Sequence, residues 1–247
     1  TMAYQPLATI LEAMRIEQKK AAGLVVTVEF PHATPADCSA HHYNRGRYDL
    51  LAPQIVYQNL DVVFGGGVSL ITEDIKQQFI NKEVNYYANN INAFRNHTKG
   101  RIWSLWCDKD MPYAIDRDTS LIPSLEEMTQ KAIDLLSQNE NGFFLMVEGS
   151  KIDWLAHAND AIGCITEFLE FDKAIGVAMN FYLRDVYTTV IALPDHGNSG
   201  FSIGRRDLKS YDKASIDKLF ANVSKYKRTG VGLDRMLLKE NPECFKS

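Results

Sequence analysis

Residues 141–157, Asn-Gly-Phe-Phe-Leu-Met-Val-Glu-Gly-Ser-Lys-Ile-Asp-Trp-Leu-Ala-His, constrain this chain more than any other stretch. An apolar run stops abruptly at an acid and a glycine, and further polar groups follow at once. Phe143 to Val147 is short, apolar and bounded by Asn141-Gly142 and Gly149, which reads as a strand buried on both faces. Glu148 then stands at its carboxyl end, where open α/β sheets hold their ligands. Asp153 and His157 follow at a spacing of four, on one face of a helical segment, and a carboxylate and an imidazole so placed can share a zinc ion. The same residues also admit a plainer reading, as a helix cap and a surface pair.

A second stretch repeats the pattern. Residues 188–193, Thr-Thr-Val-Ile-Ala-Leu, read as another β-branched strand, and it stops at Pro194-Asp195-His196-Gly197. An adjacent Asp-His is a weak signal alone. Two strands of one sheet that each end in Asp and His, with a Glu nearby, are a stronger one, because paired divalent ions about 3.5 to 4 Å apart need such a cluster.

In order and type these motifs resemble those of the alkaline phosphatases. The resemblance runs from Gly142 through Glu148-Gly149, Ile152-Asp153 and His157 to Asp195-His196-Gly197. Upstream it takes in Pro123-Ser124-Leu125-Glu126-Glu127-Met128, then His32-Ala33-Thr34-Pro35-Ala36 and Asn44-Arg45, so that most of residues 7–203 is covered. It implies a three-layer α/β sandwich, a largely parallel sheet with helices on both faces. It also implies phosphomonoester hydrolysis through a phosphoserine intermediate, with two zinc ions and one magnesium ion. Asp153 and His157 would bind one zinc, Asp195 and His196 would contribute to the other, and Thr34 and Glu148 would serve magnesium, a harder ion suited to oxygen ligands. Arg45, thirteen residues after His32, matches the arginine that grips the substrate phosphate, and a guanidinium can hold two phosphate oxygens at once. His32 and Trp154 would flank the metal ligands without binding metal. A homodimer in the periplasm or outside the cell, acting on small phosphomonoesters and inhibited by inorganic phosphate, completes what the resemblance implies. Two competing readings stand beside it: a non-catalytic module binding a divalent ion or phosphate, and a phosphodiesterase or sulfatase-like member of the same superfamily.

Three parts of the pattern are missing from these residues. The chain contains no Asp-Ser-Ala nucleophile segment, no early metal-binding aspartate ahead of it and no histidine after His196. Asp37-Cys38-Ser39-Ala40 is a decoy, because it falls inside the matched run from His32 to Arg45. The expectation is therefore a central piece of a longer enzyme, inactive alone and binding zinc poorly.

Composition agrees with a folded α/β domain. The 247 residues are 45% hydrophobic and 23% charged, near globular averages, and no apolar run approaches the roughly 20 residues that span a bilayer. The amino terminus has no basic-then-apolar leader. Residues 1–200 are assigned to the partial core and 201–247 to a basic, crown-like insertion. From Gly200 onward eleven Lys and Arg face six Asp and Glu, although the whole chain carries a formal charge of −4. With no recognition motif there, nucleic acid is not an expected partner. Cys38, Cys107, Cys164 and Cys244 show no metal-binding spacing.

Local patterns supply the remaining expectations. Leu7, Ile10, Leu11 and Met14 predict an amphipathic helix stopped by Gly23, and residues 24–30 a strand. Thr34 reads as an N-cap before Pro35, with a helix running toward Arg45. Residues 61–67 read as a strand and a flexible turn, lacking the Lys-Ser/Thr of a nucleotide loop. Residues 101–106 read as a strand and His97 as a plain surface histidine. Leu125, Met128, Ala132 and Leu135 line one helix, and Ile162, Ile165, Leu169 and Ile175 the next.

Overall fold

In the computed structural model, which describes residues 5–198, 200, 215 and 225–237, five strands form one parallel sheet. They are β1 (Ala21–Glu29), β2 (Val62–Gly66), β3 (Val84–Ala88), β4 (Arg101–Leu105) and β5 (Phe143–Val147), and their spatial order is β3-β4-β2-β1-β5. Around them lie α1 (Ile10–Ile16), α2 (Ala33–Ser39), α3 (Tyr48–Tyr57), α4 (Glu73–Asn81) and α5 (Ile91–Asn96), then α6 (Leu125–Leu136), α7 (Ile152–His157), α8 (Ala161–Tyr182) and α9 (Gly230–Leu237).

Side chains alternate across a strand, and that alternation divides the sheet between two cores. Ala22, Leu24, Val63, Trp103 and Leu105 pack with Leu11, Leu51, Ile55, Ile75 and Phe79 on one face. Ala21, Val25, Val62, Phe64 and Ile102 pack with Phe94, Met128, Ala132, Leu136 and Ala174 on the other. Thus α1, α3 and α4 cover one face and α5, α6 and α8 the other, which is the three-layer α/β architecture expected. The chain leaves β1 for β2 on one side and returns as β5 on the other. The crevice outside the carboxyl ends of β1 and β5 is therefore a topological switch point, the place where such sheets bind ligands.

Several local expectations change. β5 is not buried on both faces: all five of its residues are partly exposed, because among the described residues it is an edge strand. Residues 188–193 form no strand, and Ile191 and Leu193 are exposed, since among the described residues no strand pairs with them. Leu7 lies outside α1, whose start is fixed by a reciprocal capping box between Thr9 and Glu12. Gly23 does not stop that helix. It sits inside β1, where a Cβ would come within 2.8 Å of Leu136 Cδ1, so its bare backbone lets α6 approach the sheet. His97 is buried, with Nε2 3.3 Å from the Gly100 carbonyl and its ring edge against Tyr87. The glycine-rich turn after β2 is held rather than loose: Gly67, at φ 100°, and Val68 donate their N–H groups to the carbonyls of Lys109 and Cys107.

The long helix α8 buries a different face from the one expected. Gly163, Cys164, Glu167, Glu170, Ala174 and Val177 point inward, whereas Leu169 is exposed. Two acids on that face are tolerated because Glu167 accepts the Ala114 N–H at 2.6 Å and Glu170 pairs with Arg117. Most of residues 201–247 lie outside the described residues. Within the described part, Thr229 donates from its N–H and hydroxyl to Asp116, which fastens the start of α9 to the core. Cys107 is disulfide-bonded, and Cys38 and Cys164 are free thiols.

Candidate metal and phosphate site

Two loops meet at the crevice. From β1 the chain enters α2 with His32, not Thr34, in the N-cap position (φ −62°, ψ 169°), and its side chain makes no capping bond. Thr34 thus stands at the second helical position, with its hydroxyl free to bond elsewhere. It is a hydrogen-bond partner of Glu148, the residue that follows β5. Ser150 is a second hydroxyl on the same carboxylate, donating from Oγ to Glu148 Oε2 at 2.6 Å. Burial pushes the Glu148 carboxyl above its ordinary range, the two hydroxyl bonds pull it back, and the charge of nearby Asp195 pushes it up again.

The next turn holds the second pair. Asp153 Oδ2 and His157 Nε2 lie 3.6 Å apart across one turn of α7, as the spacing of four requires. Such a separation suits two donors that each sit about 2.0 to 2.2 Å from one zinc ion. Asn198 donates from Nδ2 to Asp153 Oδ1 at 2.6 Å and to its carbonyl at 3.1 Å, which brings the segment after residue 193 onto α7. Asp195 and His196 are exposed and contact each other at 3.2 Å. Among the described residues no three His, Cys, Asp or Glu side chains converge tightly enough to hold a metal ion.

Around this core the wall is polar beneath and aromatic at one side. The rings of His32 and Trp154 meet edge to face at 5.6 Å, and His32 Nδ1 is buried with no hydrogen-bond partner. Burial and the nearby Arg45 cation hold the His32 imidazole below its ordinary pKa, against the pull of Asp110 and Asp153. Arg45 lies in the exposed loop after α2, which ends at Ser39 and does not reach it. Lys151 is fully buried below, donating to Asp110 Oδ2 at 2.8 Å and to the Met111 carbonyl, with Nζ 4.7 Å from the Tyr113 ring centre and 5.7 Å from that of Trp154. Desolvation lowers the Lys151 pKa, while Asp110 opposes the shift.

The candidate donors are hard oxygens (Thr34, Glu148) and a mixed oxygen and nitrogen pair (Asp153, His157), and the exposed Arg45 cation is near enough to His32 to act on its imidazole. Oxygen groups suit magnesium and the mixed pair suits zinc. The alkaline phosphatase family model matches residues 1–231. This chain belongs to the alkaline phosphatase family. It is 38% identical over 218 residues to alkaline phosphatase 4 of Bacillus subtilis, a match covering 84% of this chain and 46% of that protein. Among solved structures it resembles the cold-active alkaline phosphatase of a psychrophilic Shewanella, with a TM-score of 0.69 at 34% identity over 74% of this chain and 45% of that one. A variant of the TAB5 alkaline phosphatase, 29% identical with a TM-score of 0.66, covers 74% of this chain and 54% of that one; its structure has Mg bound in a site designated M3. The chain thus spans about half the length of these alkaline phosphatases.

Sequence reasoning did not find Ser150, Asn198 or the Lys151–Asp110 pair. Ser150 and Asn198 act through hydrogen bonds that leave no periodic trace. For Ser150 the available signal is the preceding Gly149, where a Cβ would stand 3.0 Å from Phe171 Cβ; no such approach occurs at Gly197, before Asn198.

Proposed function

We propose that the protein carrying these residues hydrolyses phosphomonoesters with zinc and magnesium, through a phosphoserine intermediate, in the periplasm or outside the cell and as a homodimer. The observation that supports this reading is the meeting of Thr34, Glu148, Asp153 and Asn198, with Asp195 close by, at the switch point of the sheet. Bound metal ions supply Lewis-acid charge that stabilises a phosphoryl group in flight.

Each residue of this chain has a task in that scheme. Thr34 and Glu148 present oxygens to magnesium, Asp153 and His157 hold one zinc, and Asp195 and His196 contribute to the second. Arg45 neutralises and orients the substrate phosphate from the open side of the crevice. His32 and Trp154 wall the pocket, and the burial that lowers the imidazole pKa disfavours a second cation beside the ions. The chain as given lacks the serine nucleophile, so no phosphoenzyme forms on it and no turnover is expected.

The deciding experiment uses the complete enzyme. Arg45→Ala should weaken inhibition by inorganic phosphate about tenfold or more while zinc content stays normal, because a charge-assisted bidentate pair contributes to anion binding and not to the metals. Unchanged phosphate inhibition would remove Arg45 from the site. For the chain alone, turnover of an activated aryl phosphate near the rate of the complete enzyme would show that another nucleophile exists.

A further inference from the structure

Beyond the end of β5 the two central strands cease to match. Their pairing stops at Val25 and Val147, with one more ladder bond from the Glu148 N–H to the Val25 carbonyl at 2.9 Å. β1 continues to Glu29, whereas β5 turns away at Gly149. Amides alternate sides along a strand, so the next β1 N–H on the β5 side belongs to Thr27. Thr27 is fully buried, and a buried N–H without an acceptor costs about 1 to 3 kcal/mol.

A side chain takes the place of the missing strand. The Thr27 N–H donates to Ser150 Oγ at 3.2 Å, while the Thr27 carbonyl accepts from Met111 N–H at 3.0 Å. A serine oxygen has a single proton to give, and an incoming donor on one side directs that proton to the other. There it meets Glu148 Oε2 at 2.6 Å, well inside the 3.4 Å to the Glu148 carbonyl. With Thr34 as the other partner, the carboxylate is gripped by two hydroxyls, one from each loop at the crevice.

We propose that Ser150 is a positioning residue: it takes its orientation from the β1 backbone and imposes it on the Glu148 carboxylate, fixing how that group faces a hard divalent cation. The inference rests on the reading of Glu148 and Thr34 as magnesium ligands. A hydroxyl that only satisfied Thr27 would have no reason to stand 2.6 Å from the carboxylate. Groups that orient a metal ligand commonly change metal affinity by about 10- to 100-fold when removed.

The test titrates manganese(II) into the complete enzyme with its zinc sites filled and follows loss of the free-ion EPR signal, with magnesium as competitor, beside amide exchange at Thr27. S150A should weaken manganese at least about tenfold and speed Thr27 exchange, and S150T, which keeps the hydroxyl, should restore both. If S150A does not fold, S150C carries the test: a thiol donates weakly, so its affinity should fall clearly below that of the wild type. Faster Thr27 exchange with unchanged affinity in S150A, or wild-type affinity in S150C, overturns the positioning role. E148Q separates the two levels. If E148Q loses manganese and S150A does not, only the role of Ser150 falls; if E148Q binds as the wild type does, or the wild type binds no manganese, the reading of Glu148 falls and takes this inference with it.

Discussion

Arg117 donates from Nη1 to Glu170 Oε1 across 2.5 Å, with both side chains withdrawn from water. The guanidinium also donates to the Pro112 carbonyl from Nη2 at 2.9 Å, and the same carboxylate oxygen accepts the Leu125 N–H at 3.1 Å. One ion pair thus joins the loop after β4, the start of α6 and the middle of α8. Removing one partner strands a buried charge, so Arg117→Met is expected to cost about 3 to 5 kcal/mol in chemical denaturation. The double variant Arg117→Met/Glu170→Leu should recover most of that loss, since apolar groups of like volume replace such pairs at little cost. A single variant losing under about 1 kcal/mol would mean that the pair is not desolvated in solution.

That pair also explains where the sequence misled. Periodicity puts the buried face of α8 at Ile162, Ile165, Leu169 and Ile175, yet Glu167 and Glu170 lie inside and Leu169 outside. Hydrophobic periodicity presumes that charge faces water, and it fails where Arg117, far off in sequence, neutralises the acid. By contrast α6 is legible, because Leu125, Met128, Ala132 and Leu135 are buried with no charge among them, and the one buried polar residue, Thr129, satisfies its hydroxyl locally on the Leu125 carbonyl at 2.7 Å. The site divides the same way. Glu148, Asp153 and His157 could be singled out from a strand end and a spacing of four, both local properties. Ser150 and Asn198 could not, because their partners are fixed only when β1, β5 and the later segment come together.

Among the described residues β5 has one open edge, and its parity is one that exchange can read. Gly142 O and Glu148 N both bond β1, so even-numbered residues face that strand and the N–H groups of Phe143, Leu145 and Val147 face away from it. Hydrogen exchange resolved by residue should be faster at 143, 145 and 147 than at Phe144 and Met146. Equal protection along the strand would mean that something covers this edge in solution.

Tyr86 makes a statement about alkaline stability. It packs against Phe79 at a centroid separation of 5.5 Å, and burial pushes its hydroxyl up to about 12. Since tyrosine in an unfolded chain titrates near 10, the native state keeps this proton longer. Its contribution to stability is then fully present below about pH 10 and is lost as pH rises through about 12. A rapid pH jump followed at the tyrosinate absorbance should show a late-ionising group that Tyr86→Phe removes. A titration of the variant identical to that of the wild type would refute this assignment.

Gly232 should reverse an ordinary rule. It lies in the first turn of α9, where Gly→Ala usually stabilises by about 0.5 to 1 kcal/mol. Here its N–H donates to Thr229 Oγ1 at 2.8 Å, and Thr229 donates its own hydroxyl to Asp116 Oδ2 at 2.6 Å, so helix and carboxylate are drawn together. A Cβ at 232 would stand 2.2 Å from Asp116 Oδ2 and 2.6 Å from Oδ1, closer than non-bonded atoms can approach. Asp116 cannot swing aside freely, since it is fully buried and also accepts the Thr229 N–H at 3.1 Å. Gly232→Ala should therefore lower the melting temperature. Gly230→Ala, whose Cβ would meet only Asp160 Oδ2 at 3.8 Å, an ordinary contact, should leave it unchanged or raise it. Equal melting temperatures for the two variants would mean that Asp116 and the start of α9 are not held against each other as described.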